Sequence, residues 1–136
     1  MIRVHSPTQI YVCTTCRTAD EPLEPKSARA GARLFAQLIS ENKEQFEIVP
    51  VECLSVCKRP CTVSFAAKGK WTYIYGDLPA DTSAHTILTG AALYTQADDG
   101  LIPWKQRPEA LKKGVVARVP ALTPHPNRLP EGEGIA

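Results

Sequence analysis

Hydrophobic positions recur along the chain in short blocks, and their spacing changes from block to block. QIYVC (9–13) is a compact β-type run. TTCRTADEPLEP (14–25) is polar, with prolines at 22 and 25, and reads as a loop. Over 27–43, Gly31, Leu34, Phe35, Leu38 and Ile39 fall at i, i+3, i+4, i+7 and i+8, one stripe of a helix, with Ser27 placed as its N-cap. FEIVPVE (46–52) is mostly apolar and predicts a central strand, although Pro50 forfeits a ladder hydrogen bond there. TVSFA (62–66) and WTYIYG (71–76) alternate on either side of AKGK, the pattern of a hairpin. A second helix is predicted over about 80–97, with Ala84, Ile87, Leu88, Ala91 and Leu93 or Tyr94 toward a core. The order β-α-β-β-β-α suits a small α/β sandwich with a mixed sheet.

From Leu101 onward the character changes. Six of the twelve prolines lie in the last 34 residues, and apart from RPEALKK (107–113) no periodic segment is evident. VPALTPHPNRLPEGEGIA has no way to form a helix interior and little to bury. The expected organisation is a domain over 1–100 and a Pro-rich basic extension over 101–136, draped over the domain or a partner, with its last residues disordered.

The chain has 136 residues, enough for one domain with a modest core. Its net charge of +2 is too small to argue for nucleic acid or an acidic membrane surface as partner. Residues 1–100 carry 10 Lys/Arg against 11 Asp/Glu, whereas 101–136 carry 6 against 3, so the excess of positive charge sits in the extension. No apolar run approaches the 18 residues of a membrane span. The start, MIRVHSPTQIYVC, lacks the features of a secretory signal, so a cytoplasmic, reducing compartment is expected. In that setting five cysteines point to metal or redox chemistry before structural bridges, and an odd number excludes complete internal pairing.

The cysteines fall into sets. Cys13-Thr14-Thr15-Cys16 is a C-x2-C after one strand, and Cys53-Leu54-Ser55-Val56-Cys57 is a C-x3-C after another, with Cys61 four residues later. Two or three intervening residues let a loop fold back so that both thiolates converge on one metal or cluster edge. Two such pairs at neighbouring strand ends can supply four thiolates to one site. Arg17, Lys58 and Arg59 sit directly beside the cysteines in sequence, where basic groups favour the more negative, reduced form of a cluster.

VECLSVCKRPCTVSFAAKGKWTYIYGDL resembles the second half of the thioredoxin-like [2Fe-2S] ferredoxins, a group that includes a subunit of respiratory complex I and of some hydrogenases. YVCTTCR together with ECLSVCKRPCTV more closely resembles a bacterial family of predicted metal-binding proteins found near cobalamin-biosynthesis genes. The resemblance implies a thioredoxin-like fold and a [2Fe-2S] cluster held by Cys13, Cys16, Cys53 and Cys57. It also implies one-electron transfer to a redox partner protein, no substrate chemistry of its own, a homodimer, and a link to corrinoid metabolism. Two departures stand out: the first pair is more tightly spaced than in the better-known ferredoxins, and Cys61 stands where those usually carry proline. Cys61 is therefore an alternative ligand.

Other readings of the same thiols stay open. One Zn²⁺ or cobalt ion needs much the same four thiolates, and a C-x2-C such as Cys13/Cys16 also suits a thiol–disulfide redox protein. His5, His85 and His125 share no ligand spacing and read as surface residues. Trp71, Tyr73 and Tyr75 alternate on one strand and read as packing, while Trp104 is expected to anchor the extension to the domain. No phosphate-binding Gly-rich loop, Ser/His/Asp arrangement or paired-carboxylate motif is present.

Overall fold

A computed structural model describes residues 7–56 and 58–122. Five strands form one sheet in the order β2-β1-β3-β4-β5: β1 (Gln9–Cys13), β2 (Glu47–Val51), β3 (Val63–Ala66), β4 (Thr72–Tyr75) and β5 (Val115–Val119). Three helices, α1 (Ala30–Asn42), α2 (Ala84–Gln96) and the short α3 (Ala110–Lys113), complete the α/β architecture. β1 and β2 run parallel, as a crossover through α1 requires, and the remaining pairs are antiparallel.

The alternation read from the strands sets the core. Ile10 and Val12 of β1, Val63 and Phe65 of β3, and Tyr73 and Tyr75 of β4 are all fully buried, together with Leu34 and Leu38 of α1 and Ile87, Ala91 and Tyr94 of α2. Tyr73 and Tyr75, two residues apart on one face, stack with ring centres 5.5 Å apart, and Phe65 meets Tyr75 edge-on at 5.2 Å. The Tyr94 hydroxyl donates to Trp71 O at 2.6 Å, and the Tyr73 hydroxyl accepts from the Ile102 amide and from Arg107 Nη2, each at 3.1 Å. The β3–β4 hairpin turns through AKGK as its pattern predicts, with Lys70 N donating to Ala67 O and Gly69 at φ +77°, where a side chain would be strained.

Three expectations are corrected. FEIVPVE reads as central, yet β2 is an edge strand. Pro50 is tolerated there, beside Val12 of β1, because one side of β2 has no ladder to lose. Helix α1 starts at Ala30 rather than Ser27: residues 26–28 make a 3₁₀ turn, Arg29 is extended, and Glu21 Oε1 from the preceding loop accepts the Ala30 amide at 3.0 Å. Leu34 and Leu38 of the predicted stripe are buried, whereas Ile39 is 51% exposed.

The third correction concerns the segment from Leu101, which pattern alone leaves outside the domain. Ile102 and Leu111 are buried in the core, Leu111 over Gly90 of α2, and β5 extends the sheet beside β4 with Ala117 opposite Ile74 and Val119 opposite Thr72. β5 escapes the pattern because it is an edge strand with both faces partly open, so VVARV has no need to alternate. Trp104 is 59% exposed, held beneath Arg107 and Lys112 at 5.2 and 5.4 Å from its ring centre. The expected disorder of the last residues concerns 123–136, which lie outside the described residues, as do His5, His125 and Cys57.

Leu111 distinguishes a draped extension from an integral part of the core. Leu111→Ala should cost about 3 kcal/mol in denaturant-unfolding free energy, as a cavity-forming substitution does; a loss below about 0.5 kcal/mol, typical of surface positions, would contradict the packing.

Candidate metal centre

All four cysteines with described positions lie at one end of the sheet. Cys13 is the last residue of β1 and pairs in register with Val51, so β2 delivers Cys53 two residues beyond that same end. β3 runs antiparallel to β1 and therefore starts where β1 stops: Val63 lies opposite Val12, Cys13 N donates to Thr62 O at 3.1 Å, and Cys61 immediately precedes. Cys13, Cys16 and Cys61 are buried and Cys53 is exposed; none of the four forms a disulfide.

The first pair is held in place. Gly31 N donates to Cys16 O at 2.9 Å, and a Cβ on Gly31 would collide with Cys13 O. Only glycine lets α1 approach the 13–16 loop this closely. Arg29 reaches over the same loop, with Nη1 donating to Thr15 O at 3.1 Å while Nε and Nη2 donate to Leu23 O at 3.0 and 2.8 Å. Thr14 N donates to Val51 O at 2.9 Å, the Thr15 hydroxyl donates to Glu52 O, and Cys13 Sγ lies 3.8 Å from that same oxygen. The loops carrying Cys13 and Cys53 are thus tied together through the backbone of residues 51 and 52.

The two thiols differ in charge. A hydrogen bond from Cys16, joined by the amides of Leu54 and Thr15, lowers Cys13 to about 5 against the opposing effect of burial. Cys16 moves the other way: it holds the shared proton, and burial and the negative charge on Cys13 push it well above the thiol range. Its thiol also lies 3.8 Å from Thr62 Oγ1. Cys53 Sγ accepts the Ser55 amide at 3.2 Å, the kind of contact that stabilises a thiolate or a metal-bound sulfur. Cys61, 1% exposed, exchanges backbone hydrogen bonds with Leu78, and burial pushes its thiol up to about 12, with the charges of Glu21 and Cys13 adding to the shift.

The basic neighbours read from the sequence separate. Arg17 and Lys58 line a cleft of about 710 Å³ that opens over Cys13 and Cys16. Arg59 lies outside that lining: its Nε pairs with Asp77 Oδ2 at 2.7 Å and its Nη2 reaches Lys113 O at 3.5 Å. Three residues that shape the site carried no cysteine-like signal. Arg29 and Gly31 clamp the loop, and Glu21 caps α1 while pairing with Arg33 at 2.8 Å, an interaction that holds its carboxyl below the usual range. Gly31 alone left a trace, as a glycine inside an apolar helical stripe, where it ordinarily costs stability.

The donor set fits a soft metal or an iron–sulfur cluster, since thiolates are what such centres take. Among the described residues, no three His, Cys, Asp or Glu side chains converge on one point as metal ligands. The Cys13–Cys16 half is assembled, and Cys53 stands exposed on the adjoining loop.

The sheet order, the single parallel pair and the helix placement define a thioredoxin-like α/β protein. Residues 10–121 match the family described as a protein of unknown function, DUF1636, and the chain belongs to it. No curated protein matches it by sequence. Among solved structures, a thioredoxin-like [2Fe-2S] ferredoxin from Aquifex aeolicus is similar in fold, with a TM-score of 0.51 at 17% identity over 83% of this chain and 93% of that one.

Two outcomes follow for the metal-free protein. Replacing Gly31 with alanine should push α1 off the 13–16 loop, lowering stability by about 1–3 kcal/mol and raising the alkylation rate of Cys16 by a neutral reagent; unchanged reactivity would refute the clamp. Cys61 has a folded pKa above its unfolded one. The stability it contributes is complete below about pH 8.5 and is lost as pH rises toward 12. The unfolding free energy should fall by about 1.4 kcal/mol per pH unit from this group, and Cys61→Ala should flatten that alkaline slope.

Proposed function

We propose that the chain is a one-electron carrier that holds a [2Fe-2S] cluster through Cys13, Cys16, Cys53 and Cys57 and passes electrons to a partner enzyme. The observation that carries this reading is the pre-set Cys13–Cys16 pair, cross-tied through Glu52 O to the loop that carries Cys53, in a thioredoxin-like fold. Such a cluster supplies one-electron chemistry with little rearrangement of its ligands.

The chain's own residues account for the rest. Cys13, already inclined to the thiolate, and Cys16, which must give up the shared proton, hold the buried side of the centre. Cys53 holds the solvent-facing side, where Ser55 N steadies its sulfur. The amides of Leu54 and Thr15 point at Cys13, and Arg17 and Lys58 bring positive charge to the mouth; both lower the cost of added negative charge. Cys61, buried and turned into the core, is left as a neutral thiol rather than a ligand.

One observation favours a second reading. A C-x2-C in which one thiol is lowered to about 5 and its partner keeps the proton is the arrangement of a dithiol nucleophile. In that case Cys13 attacks a disulfide, Cys16 resolves the mixed disulfide, and the pair leaves oxidised by two electrons while the substrate disulfide is reduced to two thiols.

Anaerobic purification separates the two. The carrier predicts a red-brown protein with about two irons and two acid-labile sulfides per chain, as the cluster composition demands. Serine at Cys13, Cys16, Cys53 or Cys57 should abolish or strongly shift the visible spectrum, and serine at Cys61 should leave it. A colourless protein with one zinc, or a metal-free one whose Cys13–Cys16 disulfide turns over with a reductase, would displace this reading.

A further inference from the structure

The cleft over Cys13 and Cys16 has a chemistry that the thiols alone do not explain. Arg17, Arg29 and Lys58 line it, and among the described residues no carboxylate and no aromatic ring does. Among the described residues, Arg17 and Arg29 hydrogen-bond only to backbone carbonyls: Arg17 Nη1 donates to Glu21 O at 2.9 Å, and Arg29 to Thr15 O and Leu23 O. Such bonds fix a guanidinium without cancelling its charge, because a carbonyl contributes a dipole and no net charge. Lys58 is exposed and makes no ion pair among the described residues.

Three carboxylates near this rim are engaged elsewhere, and Asp20, Glu24 and Glu52 of the surrounding loops make no ion pair among the described residues. Glu21 and Asp81 both pair with Arg33, at 2.8 and 3.0 Å, and Asp77 pairs with Arg59. A chain whose net charge is only +2 thus gathers around its cysteine pair three cations that have no ion-pair partner among the described residues. The cations come from three separate segments: the loop after β1, the residue before α1, and the cysteine loop. That distribution suits several carboxylates spaced along a chain better than a single phosphate. The absence of an aromatic platform argues against single-stranded nucleic acid.

We propose that this cleft is a docking site for an acidic, carboxylate-rich segment of a protein partner, which electrostatic attraction brings to the cysteine face. The identity of that partner as a redox partner rests on the carrier reading above; the charge of the surface does not.

The test uses the protein as purified and fluorescein-labelled hexaglutamate, read by fluorescence anisotropy, with hexalysine and single-stranded hexauridylate as comparison probes. Hexaglutamate should bind, at least tenfold more weakly at 300 than at 50 mM salt, and hexalysine should not. Arg17→Glu with Lys58→Glu should weaken hexaglutamate at least tenfold. Lys43→Glu with Lys68→Glu makes the same charge change at the far end of α1 and in the hairpin turn, and should stay within twofold. Lys58→Glu alone, at an exposed position, should weaken binding at least threefold and covers the case in which the double variant does not fold.

Equal loss in both double variants would reduce the effect to overall charge and overturn the proposal. So would absent binding, or hexauridylate binding as tightly with the same variant sensitivity. Iron and sulfide are measured on the same preparation. Binding by a colourless protein keeps the docking surface and removes the carrier, and a coloured protein indifferent to hexaglutamate does the reverse.

Discussion

Helix α1 and the loop after β1 meet backbone to backbone, through the Gly31 amide on Cys16 O at 2.9 Å and with no room for a Cβ beside Cys13 O. The rest of the site depends on that contact. Because the helix starts against the loop, its first amide is within reach of Glu21, and Arg29, one residue earlier, can bridge Thr15 O and Leu23 O. Glu21 at the helix start also faces the positive end of the helix dipole, which suits its ionised form. Arg33, one turn along, binds both Glu21 and Asp81 and so joins the cysteine loop to the approach of α2. Surface ion pairs of this kind are each worth little. Their effect here is geometric, because they fix which way Arg33 and Glu21 face.

Held this way, two thiols share one proton in a setting that is buried below and open above. Burial alone would raise both, as it raises Cys61. The asymmetry arises because Cys16 keeps the shared proton and hydrogen-bonds to Cys13, which the amides of Leu54 and Thr15 also favour as the thiolate, while Thr62 alone offers Cys16 a backbone hydrogen bond. The same asymmetry serves a metal centre and a dithiol nucleophile, since each begins from one thiolate beside one thiol. What separates them is the second loop. A dithiol needs no third sulfur, whereas a cluster gives a purpose to Cys53, exposed and steadied by the Ser55 amide.

Much of this was legible in the chain, and the misses share a cause. A β-type run found β1, alternation found β3 and β4, and helical spacing found α1 and α2, because each sets a row of apolar residues against the core. β2 and β5 are edge strands, where that contrast fades: FEIVPVE looked central, and VVARV did not look like a strand at all. Proline content made the segment after Leu101 look extended, although Ile102, just before its first proline, and Leu111, between Pro108 and Pro120, are buried. At the site, cysteine spacing was readable because ligand chemistry imposes it locally. Glu21, Arg29 and Gly31 were not, because their roles are set by elements that meet only in three dimensions.

Topology explains why two cysteine sets almost forty residues apart in sequence can belong to one centre. β1 and β2 are parallel and in register from Gln9–Glu47 to Cys13–Val51, so both leave the sheet at the same end. Had the connection been a hairpin, Cys53 would have emerged a strand's length away from Cys13, roughly 17 Å for five residues. The crossover through α1 that a parallel pair requires also sets the start of that helix, with Gly31, against the loop between Cys13 and Cys16. β3 then returns antiparallel beside β1, bringing Cys61 to the same end but on the buried side, one residue before the Thr62 carbonyl that accepts the Cys13 amide. Cys61 therefore shares the neighbourhood of the pair without sharing its exposure to the cleft, which Cys13 and Cys16 line and Cys61 does not. Its difference from the other thiols follows from strand direction rather than from its place in the CKRPC sequence.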